Sequence, residues 1–582
     1  MSSYSQGPSR PPLLESTIGD HFEGTVARFP HRDALIEVAT GRQWSYTELN
    51  SVVDRFALGL LVLGIQRGDR VGIWSPNCAE WTVVQYATAK VGAILVNVNP
   101  AFRTVELEYV VRQCGMRMLI SAPSDKNSDY PNMARDARAN CPELRELVFI
   151  DGDGDGDGRQ SQPGEFSYAA LLDAGADSSS IGLRERMDEL CASDPINLQY
   201  TSGTTGFPKG ATLTHRNILN NGFFIGELLH YTEHDRVVVP VPFYHCFGMV
   251  IGNLNIYAHG AAAIIPGRGF AASAALQAVQ DHGGTSLYGV PTMFMAELAL
   301  PDFSDYDLST LRTGVMAGST CPVAVMNRVI GEMNMVDVAI CYGMTETSPV
   351  SAMTRSDDTI ERRTSTVGRT MPHLENRIID LQTGDMVARG EIGELCTRGY
   401  SVISGYWDEP EKTRDSIDDE GWIHTGDLAS MDTEGYITVE GRIKDMVIRG
   451  GENIYPREIE EFLLRHPRIH DVQVIGVPDE KYGEELMACI ILAPGADTLT
   501  AEDVAEFCRG RLAHFKVPKY TDVRESFPLT VSGKIRKIDM RNEAIARLAE
   551  TIVVPEPEPI LNSSRRESRT VVAEVDSHGS LP

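Results

Sequence analysis

Apolar positions alternate between helical and strand spacings over the first part of the chain. Residues 17–29 carry an amphipathic helical pattern, Ala34-Leu35-Ile36-Glu37-Val38 reads as a strand, and Ser45 stands at the cap of a helix that begins Tyr46-Thr47-Glu48-Leu49. Arg70-Val71-Gly72-Ile73-Trp74 is a strand, Asn77-Cys78-Ala79-Glu80-Trp81 opens a helix that runs to about Lys90, and residues 93–98 read as a buried strand. Helices and strands alternating at this spacing predict a doubly wound α/β domain. Near the other end, residues 472–477 and 487–492 read as strands and a helix starts at Ala501, which predicts a small α+β unit.

Between these regions the pattern breaks at Thr201-Ser202-Gly203-Thr204-Thr205-Gly206-Phe207-Pro208-Lys209-Gly210. Glycine allows close backbone approach, and successive N–H groups, hydroxyls and a lysine can all point at an anion. Ile196-Asn197-Leu198-Gln199-Tyr200 passes as a short strand before the loop, and residues 211–218 open a helical pattern after it, with Thr214 as N-cap. Strand, Gly-rich loop and helix is a phosphate-site layout. The run is not a Walker A loop, because Gly210 follows Lys209 instead of preceding it.

Further stretches carry chemistry in the same direction. A β-branched strand, Val237-Val238-Val239, runs into a Pro-bounded turn with Phe243, Tyr244 and His245. Residues 313–319 read as a strand ending in Gly318 and Ser319. Residues 338–347 deliver an aromatic, a Gly turn, a hydroxyl and a carboxylate: Tyr342 can stack on adenine, Gly343 makes the turn, Thr345 can bond a phosphate oxygen, and Glu346 can hold Mg²⁺ through hard oxygen. In Thr425-Gly426-Asp427 a carboxylate directly after glycine suits a bidentate grip on ribose hydroxyls. Residues 441–460 combine glycine, charge and a strand pattern, then start a helix at Pro456 with Glu458, Glu460 and Glu461 in its first turn. Ser532-Gly533-Lys534 sets a lysine on a loop from which it can reach into a cleft as a point charge.

Taken in order, these motifs resemble the adenylate-forming superfamily of acyl-CoA synthetases, peptide-synthetase adenylation domains and firefly luciferase. The resemblance spans residues 15–545 or so. It implies a large α/β domain that binds AMP and the acyl group over 15–443 and a small α+β lid over 444–548; outside it, residues 1–14 read as a flexible segment and the Pro/Glu/Ser-rich residues 549–582 as a disordered tail. It implies ATP, Mg²⁺ and CoA. Lys534 would be the adenylation lysine, Thr204 and Glu346 would hold the metal, and residues 201–206 with Lys209 would cradle phosphate. His245 would gate an acyl pocket beside Phe243, Met249, Gly252 and Gly318, with Ser319 near the adenine. Arg442 would meet ribose or phosphate, Lys444 would be the hinge, and Gly450 and Gly451 would leave room for a pantetheine arm.

Asn97-Val98-Asn99-Pro100-Ala101-Phe102-Arg103, with Glu106-Leu107-Glu108-Tyr109, resembles the medium-chain fatty acyl-CoA synthetase branch. One departure is Leu529 after Pro528, where many relatives carry arginine. The implied reaction is formation of acyl-AMP with release of pyrophosphate, then transfer of the acyl group to CoA. Two alternatives stay open: an adenylating enzyme that loads a carrier protein or activates an aryl acid, and a non-enzymatic nucleotide-binding protein.

Composition narrows the reading. A formal net charge of −28 over 582 residues disfavours a general nucleic-acid binder. The ten cysteines include no C-x-x-C, which points to reduced thiols in a cytoplasmic setting. No apolar run is long enough for a transmembrane segment, and no secretory leader is expected from the polar start. The Asp-Gly repeat at 151–158 lacks the closing glutamate of an EF-hand and reads as a surface insertion.

Overall fold

The computed structural model describes residues 1–124, 128–150, 162–201, 208–318, 321–450, 452–529 and 535–551. The Asp-Gly repeat, Ser202 to Phe207, Ser319, Gly451, Lys534 and the tail beyond 551 lie outside them.

Two large sheets carry most of the chain. In the first, Arg70–Trp74, Ile94–Asn97, Met118–Ser121, Glu146–Phe149 and Glu165–Ser167 run parallel, and Ile94–Asn97 also pairs in parallel with Pro195–Thr201. In the second, a parallel core of Asp33–Glu37, Ala262–Ile265, Arg236–Val238, Ser286–Gly289, Thr313–Ala317 and Asp337–Tyr342 is flanked by short antiparallel strands. The α/β expectation holds, and the strand at Arg70–Trp74 falls on its predicted residues.

The helix Ala79–Val91 packs against strands of both sheets, and every one of its residues is buried. A helix covered on all sides has no polar face, which explains its weakly amphipathic sequence. Its single cation, Lys90, is fully buried and is held by Glu23 at 2.9 Å, Asp54 at 2.5 Å and the Asn50 carbonyl at 2.8 Å. Beside it, Phe22, Tyr46, Tyr86 and Tyr257 form an aromatic cluster with centroids 4.4–6.3 Å apart.

A third sheet of antiparallel strands, Leu374–Ile379, Gly393–Gly399, Ile423–Met431 and Ile437–Arg442, completes the large part of the molecule. The N-terminus corrects an expectation. Tyr4–Gln6 is not a loose segment but an edge strand of this sheet, paired with Leu374–Ile379, and Tyr4 donates its hydroxyl to Glu375 at 2.6 Å. Edge pairing satisfies backbone groups whatever the side chains, so a polar segment can take it.

After Arg442 the chain makes one turn, Ile443–Asp445, and enters a separate sheet of Val447–Arg449, Glu452–Ile454, Ile469–Asp479, Gly483–Leu492 and Tyr520–Val523. This sheet has its own apolar core, including Val447, Ile459, Val474 and Ile490. The helix at Pro456–Leu463 covers it, with proline in the first turn as expected. Arg457 on that helix donates to the carbonyl of Val439, which ties the small unit to the third sheet. The last helix, Lys537–Thr551, runs three residues past the expected boundary at 548.

Candidate active site

The Gly-rich stretch does not join a strand to a helix. Lys209–Thr214 is a strand, antiparallel to Pro195–Thr201, and the helix begins only at His215. Thr214 is the N-cap as predicted, in a capping box with Asn217. The antiparallel pair ends with Thr201 opposite Lys209. Pairing between the two strands outweighed the local helical reading of residues 211–213.

Thr201, at the end of its strand, faces Glu346. The carboxylate sits on the single turn Thr345–Thr347, just after the strand Asp337–Tyr342, and only 6% of the residue is exposed. It accepts a hydrogen bond from the Tyr406 hydroxyl at 2.9 Å and lies 3.5 Å from the Thr201 hydroxyl. The Lys209 ammonium rests 4.7 Å from the centre of the Tyr406 ring. Burial and the Glu346 charge together push the Tyr406 hydroxyl well above its ordinary range, so it stays a donor. Among the described residues no cation forms an ion pair with Glu346. A buried carboxylate so placed suits a hard divalent cation.

A second group is built on Asp427. It is as buried as Glu346, at 6%. It accepts from the Tyr342 hydroxyl at 2.7 Å and pairs with Arg442 at 3.0 Å. Asp427 and Arg442 are direct partners across the antiparallel strands Ile423–Met431 and Ile437–Arg442. The Asp427 charge is the main reason the Arg442 guanidinium is held above its usual range. Lys444, exposed on the turn that follows, is two residues from this pair. Gly343 leaves no room for a side chain, since a Cβ there would lie 2.0 Å from the Pro349 carbonyl oxygen. Gly318, with φ +93, ends the strand next to Tyr342.

The His245 turn is fixed by buried amides. Asn97 and Gln199 donate to the Tyr244 carbonyl at 3.2 and 2.7 Å, and Asn77 bridges Val241 and Phe243. Gln199 lies two residues before Thr201, so the strand that ends there also positions this turn. The His245 Nδ1 accepts the Phe247 N–H at 3.1 Å, so the neutral ring carries its proton on Nε2. Phe243 is fully buried against Trp81, with centroids 5.9 Å apart. Met249 and Gly252 lie on the helix Phe247–Leu254, which has π-type spacing and is buried throughout. Such turns collect at functional sites. Thr345 reaches back to this turn, its hydroxyl 3.7 Å from the Cys246 sulfur. On the small unit, Gly450 donates its N–H to the Tyr482 carbonyl at 2.8 Å, with φ +61.

Sequence reasoning brought out Thr201, Lys209, Tyr342, Thr345, Glu346, Asp427 and Arg442; the fold sets Thr201 against Glu346 with Lys209 beside Tyr406, and joins Tyr342, Asp427 and Arg442. It missed Tyr406, Asn97 as an anchor and Gln199. Their partners are 45–147 residues away in the chain, so no local pattern announced them.

Residues 22–407 match the AMP-binding enzyme family, and residues 458–534 match the AMP-binding enzyme C-terminal domain. The chain belongs to the AMP-binding enzyme family. It is 42% identical over 554 residues to the mitochondrial medium-chain acyl-CoA ligase ACSF2 of Rattus norvegicus, covering 93% of this chain and 89% of that one. It is 44% identical over 546 residues to the putative acyl-CoA synthetase YngI of Bacillus subtilis, covering 92% and 98%. Among solved structures, ATP-bound MatB from Rhodopseudomonas palustris superposes with a TM-score of 0.79 at 28% identity, covering 91% of this chain and 99% of that one. The protein is thus an AMP-forming acid–CoA ligase that uses ATP, Mg²⁺ and CoA. Among the described residues no helix is long and apolar enough to cross a membrane.

Proposed function

We propose that this ligase activates medium-chain fatty acids and that its two half-reactions use the two parts of the chain joined at Lys444. The observation that carries the residue roles is the gathering of Thr201, Lys209 and Tyr406 around a buried Glu346 with no ion pair among the described residues. The medium-chain assignment rests on similarity to the rat ligase of that name.

Glu346 would hold Mg²⁺, with Thr204 as a second oxygen donor. The ion supplies positive charge where the triphosphate and the incoming carboxylate would otherwise repel each other. Lys209, the hydroxyls and N–H groups of 201–206, and Lys534 add donors along the same path. Asp427 grips the ribose, Tyr342 and Gly343 with Gly318 and Ser319 line the adenine, and Thr345 reaches the α-phosphate. His245 stands at the mouth of the acyl pocket, walled by Phe243, Met249, Gly252 and Gly318. In the second half-reaction the small unit turns about Lys444, Lys534 withdraws, and the Gly450-Gly451 face admits the pantetheine arm.

The test is pyrophosphate release with Mg²⁺-ATP across acids from acetate to palmitate and benzoate, with and without CoA. Turnover that peaks at medium chains and is completed only by CoA is expected. A burst that stalls despite CoA would point to a carrier-protein acceptor, and a maximum at benzoate would overturn the fatty-acid assignment.

A further inference from the structure

Three side chains outside the residues given roles above bring sulfur, nitrogen and oxygen to one point. Cys396 on Gly393–Gly399 lies directly opposite His424 on Ile423–Met431. Glu394, two residues before Cys396, projects from the same face of its strand. The His424 Nδ1 is 2.9 Å from Glu394 Oε2 and 3.7 Å from Cys396 Sγ, and the three ligand atoms all lie within 4.8 Å of one another.

The arrangement has the parts of a metal centre. A tetrahedral zinc ion with a sulfur at about 2.3 Å and a nitrogen at about 2.0 Å spaces the two by roughly 3.5 Å, close to the distance found. The second ring nitrogen of His424 faces Asp418 at 3.8 Å, and Asp418 is itself fixed by Arg377 at 2.9 Å. A carboxylate behind a ligating histidine sets its tautomer and orientation. Cys396 is fully buried, whereas the His424 side chain is 32% exposed, which leaves an open side for a water ligand and for entry. The mixed S, N, O set favours zinc over magnesium or calcium.

We propose that Glu394, Cys396 and His424 form a zinc site, separate from the Mg²⁺ position, that clamps two strands at the root of the ribose-binding turn. The register between these strands shifts just there, so that residues 425–427 bow out of the ladder. Glu394 reaches both features: Oε2 faces His424, and Oε1 accepts the Gly426 N–H at 3.0 Å. A metal on Oε2 would pin the bulge that carries Asp427. Without metal, the neighbouring Cys396 and Glu394 favour a proton on the His424 ring in the same place. The site stands on its own residues and does not depend on which acid is activated.

The experiment uses the untagged full-length protein after chelator treatment. Zn²⁺ is titrated against a chromophoric chelator, and Co²⁺ binding is followed by absorption. One tight equivalent is expected, with a thiolate-to-cobalt charge-transfer band. Cys396→Ser should abolish the band, and His424→Asn should weaken Zn²⁺ binding by at least about tenfold. Cys191→Ser, at an exposed cysteine, should leave both unchanged. Zn²⁺ should raise the Tm of the native protein and not that of Cys396→Ser. Melting curves in EDTA identify any variant that has lost its fold, and His424→Asn then decides in place of Cys396→Ser. Absence of a tight equivalent in folded native protein, or an equivalent and a band that survive Cys396→Ser, would overturn the proposal and leave the proton as the only occupant.

Discussion

Glu346 and Asp427 are equally buried, and each accepts a hydrogen bond from a tyrosine hydroxyl. Their charges are balanced differently. Asp427 has Arg442 beside it at 3.0 Å, and Glu346 has no ion-pair partner among the described residues. A buried carboxylate without a cation is costly, whereas a paired one is not. The difference teaches where each side gets its charge. The Asp427 side has its balancing charge within the chain, which suits the grip on neutral ribose hydroxyls proposed above. The Glu346 side has no ion-pair partner among the described residues, and under the proposed roles Mg²⁺ and Lys534 would bring that charge in with the nucleotide.

The Asp427 side also carries a link that the other lacks. Arg442 is the last residue of its strand before the turn that leads into the small unit. Its side chain is 48% exposed, so the pair with Asp427 is screened and contributes about 1 kcal/mol, not the 3–5 of a sealed pair. A contact of that strength can be remade when the small unit turns.

If the Glu346 side takes its charge from outside, removing the incoming lysine should hurt most. Lys534→Ala is expected to slow adenylation by about 10²–10³ while sparing thioester formation from supplied acyl-AMP. Equal loss in both half-reactions would break the assignment. Lys444→Pro should do the reverse, leaving pyrophosphate release in place and slowing the CoA step by about 10² through misplacement; normal overall turnover would count against the hinge. Smallest is Tyr406→Phe, which takes from Glu346 its one strong side-chain donor among the described residues. Thermal or urea unfolding should show a loss of about 1–3 kcal/mol, partly recovered with Mg²⁺-ATP. An unchanged midpoint would mean that Glu346 is satisfied by other groups.

Much of this was legible in the chain. Alternating helix and strand patterns gave the α/β layers, and Thr214 and Ser45 were read as caps because capping is a local signal, confirmed by their capping boxes. The segment Lys209–Thr214 was misread, because its strand character comes from pairing with Pro195–Thr201 and not from its own pattern. The edge strand at Tyr4–Gln6 escaped for the same reason, with its partner some 371 residues away. In the site, residues inside motifs were found and those that support them were not. Tyr406 stands 60 residues from Glu346, and the Glu394–Cys396–His424 group forms only when two strands pair.

The central claim is that the two carboxylates divide the work, Glu346 serving the metal and Asp427 the ribose. It is tested most directly by measuring adenylation by pyrophosphate release over a matrix of Mg²⁺ and ATP concentrations in Glu346→Gln and Asp427→Asn. The account predicts that Glu346→Gln raises the Mg²⁺ needed for half-maximal rate by at least about tenfold and lowers kcat, whereas Asp427→Asn raises the KM for ATP by a similar factor at an unchanged Mg²⁺ requirement. The same shift in both variants, or a Mg²⁺ requirement that moves only in Asp427→Asn, would contradict it.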